Sequence, residues 1–358
     1  MLAFLRYRTS WNDRKSDRRI GIIVKNAGIE EKRNLMTLAG STRVDAPKSG
    51  HDGTSLQEDI LRTLLYFDIF EYPLRLPEIR QFLPTYSVAN KDLRSACLSS
   101  PLKDQIAEID DHFFLKSRSA LIVESRRDNE RRARHLWKMA RLMARILSCF
   151  PYVRGIFVSG ELSKGVASEH SDIDFFIVTS ANRVWIVRTL CMLFKKTFLL
   201  NRKKFFCYNH IVSECRLEIN ERNIYTAIEL ATLKPPFDSD LHEKLLKANS
   251  WVFDYLPNYV RPVATGVHET SLPSFIERMW NILVPSGKLD AIDRWLLHKW
   301  RRVWMKRYPS LTPAKRLELF RSTSDVSTSY VKDFYARIMR EYEQRLKEYG
   351  LDTEFRTG

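Results

Sequence analysis

Apolar residues return at helical spacing early in the chain: Ile60, Leu61, Leu64, Leu65 and Phe67 predict a helix from Leu56 that stops near Glu71-Tyr72-Pro73. Short helices are expected over 77–83 and 88–98. A hairpin follows, with 106–109 and 112–116 flanking an Asp110-Asp111 turn. Three helices and a hairpin predict a winged-helix-like domain over 55–121. A long helix then covers 122–148, where Leu136, Met139, Met143, Ile146 and Leu147 keep the helical period, making 122–150 a connecting element.

The period shortens after Pro151. Residues 155–158 and 173–178 read as strands around a glycine-containing turn, 183–199 as a helix and 205–212 as a strand, so 151–234 is expected to be an α/β core. Beyond Thr226 the pattern is helical almost to the end, broken only by prolines, which predicts a C-terminal helical domain over 235–358. Residues 1–54 lack sustained periodicity apart from a candidate short strand at 20–24, and are expected to form a mostly disordered basic tail. No apolar run reaches the roughly 18 residues a bilayer crossing needs, and Met1 to Arg8 makes a poor signal peptide. The chain therefore reads as cytoplasmic with no membrane partner. Five scattered cysteines without a C-x-x-C pair read as plain thiols.

Charge adds a partner class. Lys and Arg number 59 against 43 Asp and Glu, a formal charge of +16, with surpluses in the tail, in helix 122–148 and over 277–321. Nucleic acid is compatible with that balance, although a solvated face is the simpler account of each run. The winged-helix-like segment offers Asn90, Lys91, Arg94 and Ser95 on its third helix, a modest set for base readout, so an intramolecular contact is as good an expectation. Trp280, Trp295 and Trp304 fit helical spacing beside Leu283, Leu296 and Val303 and are expected to pack in a core rather than stack on bases.

Glycine narrows the chemistry further. Only 12 of 358 residues are glycine, yet Gly155, Gly160 and Gly165 fall within eleven positions. They precede Ser171-Asp172-Ile173-Asp174, where two aspartates separated by one residue on a strand project from one face. Two hard carboxylate ligands suit Mg²⁺ or Mn²⁺, with phosphate oxygens and water filling the rest of the shell. A glycine turn lets phosphate approach backbone N–H groups. The same Asp-x-Asp also occurs in nucleotide-sugar glycosyltransferases, against which the upstream Gly160 turn argues.

A hydrophobic strand, glycine, a short helix, then Ser-Asp-Ile-Asp and another apolar strand resembles the DNA polymerase β-like nucleotidyltransferase superfamily, over roughly 153–234. Closer still is the likeness to bacterial proteins that set such a domain behind a winged-helix-like segment. Phe206-Cys207-Tyr208-Asn209 and Tyr225-Thr226-Ala227-Ile228-Glu229-Leu230 resemble stretches of these relatives. The resemblance implies an α/β (α+β) nucleotidyltransferase core with a mixed sheet and an enzyme that transfers a nucleoside monophosphate from an NTP to a protein, an RNA or a small molecule. It implies Asp172 and Asp174 as metal ligands and catalytic residues, and Ser159, Gly160, Ser163, Lys164 and Ser171 as the nucleotide site. Arg183 and Arg188 are the nearest further cations for phosphate. The third carboxylate of such enzymes is left among Asn209's neutral oxygen, Glu214 and Glu218, with Glu218 favoured because Leu217-Glu218-Ile219 has a strand-like pattern. One departure stands out: Glu161 occupies the place where relatives carry Ser, and an ionised Glu beside a triphosphate repels it. That departure and the charge keep a second reading open, a non-catalytic nucleic-acid-binding or regulatory protein on a degenerate core.

Overall fold

The computed structural model describes residues 56–84, 89–200, 204–236, 240–260, 275–329 and 334–353. The tail 1–54 and its candidate strand at 20–24 lie outside them. The described chain is mixed α/β, with fourteen helices and two small sheets. No helix among the described residues is long and apolar enough to cross a membrane.

The N-terminal unit runs α1 (Leu56–Asp68), β1 (Leu74–Arg75), α2 (Leu76–Phe82), α3 (Asn90–Leu98), α4 (Leu102–Gln105), β2 (Ile106–Ile109) and β3 (His112–Leu115). The hairpin β2–β3 takes β1 on its far side, giving an antiparallel sheet in the order β1-β3-β2. The Asp110-Asp111 turn has positive φ at both residues, as a two-residue hairpin loop requires. From here α5 (Leu121–Ser148) leads into the second sheet.

That sheet contains β4 (Val153–Ser159), β5 (Asp174–Thr179), β6 (Cys207–Ser213) and β7 (Val326–Thr328) in the order β4-β5-β6-β7. It is mixed: β5 pairs antiparallel to β4 and parallel to β6, and β7 pairs antiparallel to β6. Between β4 and β5 lies the single turn α6 (Gly160–Ser163); α7 (Val184–Thr197) makes the crossover from β5 to β6. The central strand β5 is apolar on both faces, as covering on both sides demands. Phe157, Phe176, Val178 and Val212 join a cluster with the N-terminal unit, whereas Val158, Phe175, Ile177 and Ile211 pack with α5 and α7.

After β6 come α8 (Ile224–Ala231), α9 (Asp240–Ala248), α10 (Val252–Tyr255), α11 (Phe275–Leu283), α12 (Ser286–Arg307), α13 (Pro313–Leu319) and, past β7, α14 (Phe334–Glu348). The segment from 235 onward, expected to be helical almost to the end, also supplies β7 as an edge strand to the second sheet. Its three residues hydrogen-bond along the free side of β6. The segment also reaches back to the N-terminal unit, where the Tyr342 hydroxyl donates to the Arg62 carbonyl at 3.2 Å. One correction concerns Leu217-Glu218-Ile219: 214–223 is irregular, and its backbone bonds the Asn249 side chain, from the Ile219 N–H and to the Leu217 carbonyl at 2.8 Å each, rather than a strand. A second concerns tryptophans. Trp304 is buried, but Trp280 and Trp295 are 47% and 59% exposed, so core packing accounts for only one of those three.

Candidate functional site

β4 ends with Ser159 directly opposite Asp174, the first residue of β5. Gly160 then turns the chain with φ +69°, and a Cβ at this position would lie 2.7 Å from Asp174 Oδ2. Only glycine meets both conditions without strain. The turn and the aspartate are therefore packed against each other through the missing side chain.

Asp172 lies just before β5 rather than on it, which corrects the expectation that both aspartates belong to the strand. The segment is nevertheless clamped to the strand beside it. The Ile173 N–H donates to the Lys204 carbonyl at 3.1 Å, and the Cys207 N–H donates to the Ile173 carbonyl at 2.8 Å. Ile173 is fully buried in the cluster that holds Phe175 and Ile177, so alternation turns Asp172 and Asp174 to the other side.

Asp174 is held from β6. The Cys207 thiol donates to its carboxylate, and Asn209 Nδ2 donates to Oδ1 at 3.2 Å. An extra residue on β6 between Cys207 and His210 shifts the register opposite Asp174 and Phe176, so both contacts form while His210 stacks on Phe176. Burial drives the Asp174 carboxyl up to about 7, and the neighbouring acids Asp172, Glu161 and Glu229 push the same way against the thiol bond. Burial also lowers His210 to about 3, leaving a neutral, packed ring.

The loop from Gly165 to Ser171 is tied down by Glu161. Its carboxylate accepts the Ser168 N–H at 2.9 Å and the Ser171 hydroxyl, while the Ala167 N–H donates to the Asn129 carbonyl of α5 at 3.0 Å. Burial raises the Glu161 carboxyl, opposed by these hydrogen bonds. Glu161 thus faces inward, into the loop that delivers Asp172.

Other expected nucleotide contacts also have internal partners. Ser163 is buried and donates to the Gly160 carbonyl at 2.8 Å. Ser171 is spent on Glu161. Lys164 is fully buried and ion-paired with Glu229 of α8; burial lowers its ammonium pKa while Glu229 opposes the shift. Ser159 and Gly160 remain as the turn itself. Arg183 pairs with Asp290, and Arg188 is buried beneath the rings of Tyr208, Trp300 and Trp304 at 5.1–5.5 Å.

Glu218 is not brought to the aspartates. Its segment leaves β6 at Ser213, opposite Thr179 and so at the end of β5 remote from Asp174, and its half-exposed carboxylate pairs with Arg222 at 3.0 Å. The acid that does enter the site's electrostatics is Glu229, the single charged residue of the otherwise apolar α8. That isolation within an apolar helix was its visible sequence signal. Among the described residues no group of three or more His, Cys, Asp or Glu side chains is arranged to hold a metal ion. Asp172 and Asp174 stand two residues apart at the start of β5, and the Asp174 carboxyl is raised chiefly by burial, with the neighbouring acids adding to it.

On α3, Arg94 pairs with Glu108 at 2.7 Å and Asn90 Oδ1 accepts from Arg80 at 3.3 Å. Two of its four candidate base-reading side chains thus have partners inside the N-terminal unit. No protein-family model, curated protein or solved structure matches the chain.

Proposed function

We propose that the chain is a magnesium-dependent nucleotidyltransferase, passing a nucleoside monophosphate from an NTP to an acceptor hydroxyl. The observation that carries this reading is the Gly160 turn backed against Asp174, with Asp172 two residues away. In this reading the backbone at Ser159 and Gly160 receives phosphate oxygens, and Asp172 and Asp174 hold the ion. Bound there, Mg²⁺ supplies neutralisation of charge on the phosphoryl oxygens. Cys207 and Asn209 orient Asp174. Glu161 tethers the loop before Asp172 and so does not oppose the triphosphate as an outward acid would, and Lys164 offsets the charge of its partner Glu229. The reaction served forms a bond from the acceptor oxygen to the α-phosphorus and releases pyrophosphate. The order of the N-terminal unit, a helix, a short strand, two helices, the single turn α4 and a hairpin, supports its reading as a winged-helix-like flank.

Calorimetric titration with ATP, CTP, GTP and UTP in the presence of Mg²⁺ tests this. At least one nucleotide is expected to bind the native chain, with affinity reduced at least about tenfold in Asp172→Ala/Asp174→Ala, the loss of roughly 1.4 kcal/mol or more. Absence of binding in both proteins overturns the reading.

A further inference from the structure

Helix α5 carries eight cations, and the fold divides them into two groups. Arg126 points inward, donating to Glu78 at 2.9 Å, to Glu130 at 2.8 Å and to the Pro73 carbonyl at 2.9 Å. Arg132 turns to Asn129 Oδ1 at 2.8 Å and to Glu169 at 3.4 Å. The other six, Arg127, Arg131, Arg134, Lys138, Arg141 and Arg145, are all exposed. Their alternating steps of four and three residues place them in one file along one helix face.

The start of that file is neutralised, with Arg127 on Asp110 at 2.8 Å and Arg131 on Asp128. The rest is not balanced on its own helix, because α5 contains no acid after Glu130. Arg134, Lys138 and Arg141 thus stand three or four residues from their like-charged neighbours over about 10 Å of axis, an arrangement that destabilises a helix unless an anion lies along it. The opposite face is anchored by buried Ala133, Ala140, Met143, Ala144 and Leu147, so the file is held straight before any partner arrives.

We propose that this file on α5 is a docking track for the phosphate backbone of a nucleic acid. A linear row of cations fits a linear row of phosphates. A bilayer surface calls for apolar side chains to insert as well, and within the file only Leu142 is an exposed large hydrophobic residue. The track adjoins the candidate site: the loop before Asp172 is bonded to α5 at Asn129 and Arg132, close to where the file begins. The inference concerns binding alone and does not depend on nucleotidyl transfer.

Fluorescence anisotropy of the full chain with short labelled RNA, single-stranded DNA and duplex DNA, over a series of KCl concentrations, tests it. Three neutralised phosphates predict a slope of log K against log salt of about −2 for single strands and about −3 for duplex. Arg134→Ala/Lys138→Ala/Arg141→Ala, shown to be folded by circular dichroism, is expected to weaken binding at least about tenfold and to make the slope shallower by about 2 for single strands and about 3 for duplex. Lys299→Ala/Arg302→Ala/Lys306→Ala on α12 is expected to leave both unchanged. So is Asp172→Ala/Asp174→Ala, which separates this inference from the nucleotidyl reading. Native protein that binds none of the oligonucleotides overturns the proposal, as does an α5 triple variant that binds as the native chain does, or binding to phosphatidylserine vesicles in preference to every oligonucleotide.

Discussion

At the residue scale, Asp174 concentrates the cost of building the candidate site. An aspartate ionises near 3.9 in an unfolded chain, whereas burial and the acids around Asp174 raise it to about 7. Between those values folding takes up a proton, so the stability this group contributes is complete below about pH 4, declines as pH rises and is gone above about pH 7. Asp174→Asn keeps a side chain of the same shape without the charge. Its melting temperature is expected to match the native protein near pH 4 and to exceed it at pH 8. Differential scanning calorimetry across that range checks the prediction, and equal melting temperatures at pH 8 would count against a strained carboxylate. Glu161 shows the same physics put to another use. Buried and bonded to Ser168 and Ser171, it stabilises a loop, although in the bare sequence it reads as an obstacle to triphosphate.

At the element scale, α11 reverses the usual inside and outside. Ile276, Met279, Trp280, Ile282 and Leu283 are exposed, while Glu277 is buried. Burial opposes the Glu277 charge, but hydrogen bonds from Arg154 at 2.5 and 3.0 Å and from the Tyr152 N–H at 2.7 Å outweigh it and hold the carboxyl below its ordinary range. The helix is fastened by its polar side. Glu277→Ala is accordingly expected to cost about 1–3 kcal/mol in urea denaturation, because a buried donor and part of a guanidinium lose their partner. Ile282→Ser, at a position 78% exposed, is expected to fall within about 0.5 kcal/mol of the native value. Helix α7 is fastened across elements in a related way: Asp293 of α12 accepts the Trp185 and Ile186 N–H groups that the local residue Arg183 leaves uncapped.

At the scale of the whole molecule, the N-terminal unit is locked to the second sheet through α5. Arg126 lies 3.6 Å over the Tyr72 ring and bonds Glu78, Glu130 and the Pro73 carbonyl, with Glu78 fully buried. Arg126→Met strands that acid in the interior and is expected to lower stability by about 3–5 kcal/mol in chemical denaturation. Adding Glu78→Gln should recover part of the loss, since the uncompensated charge is then gone. The far end of the chain closes the same assembly: Arg345 of α14 joins Arg118 on Asp68 of α1, and Tyr66 meets Tyr342 edge to face at 5.3 Å.

Much of the architecture was legible without coordinates, because hydrophobic periodicity records local backbone geometry. The repeat from Leu136 to Leu147, the apolar run of β5 and the Gly160 turn before two aspartates each carry their signal within a few residues, and each forms where expected. The strand β7 carries none. Val326–Thr328 is too short to show alternation and is a strand because β6 offers it an unpaired edge. Glu229 comes near Asp174 only through the folding of α8 against Lys164, and Glu218 is carried away although its local pattern resembled a strand. The sequence by itself determined the longer helices, the central strands and the acidic glycine turn, but not the single turn α4. Which charges turn inward, which apolar faces stay in water and which acid joins the aspartates were decided by the tertiary structure, since burial and pairing depend on partners that lie up to hundreds of residues away along the chain.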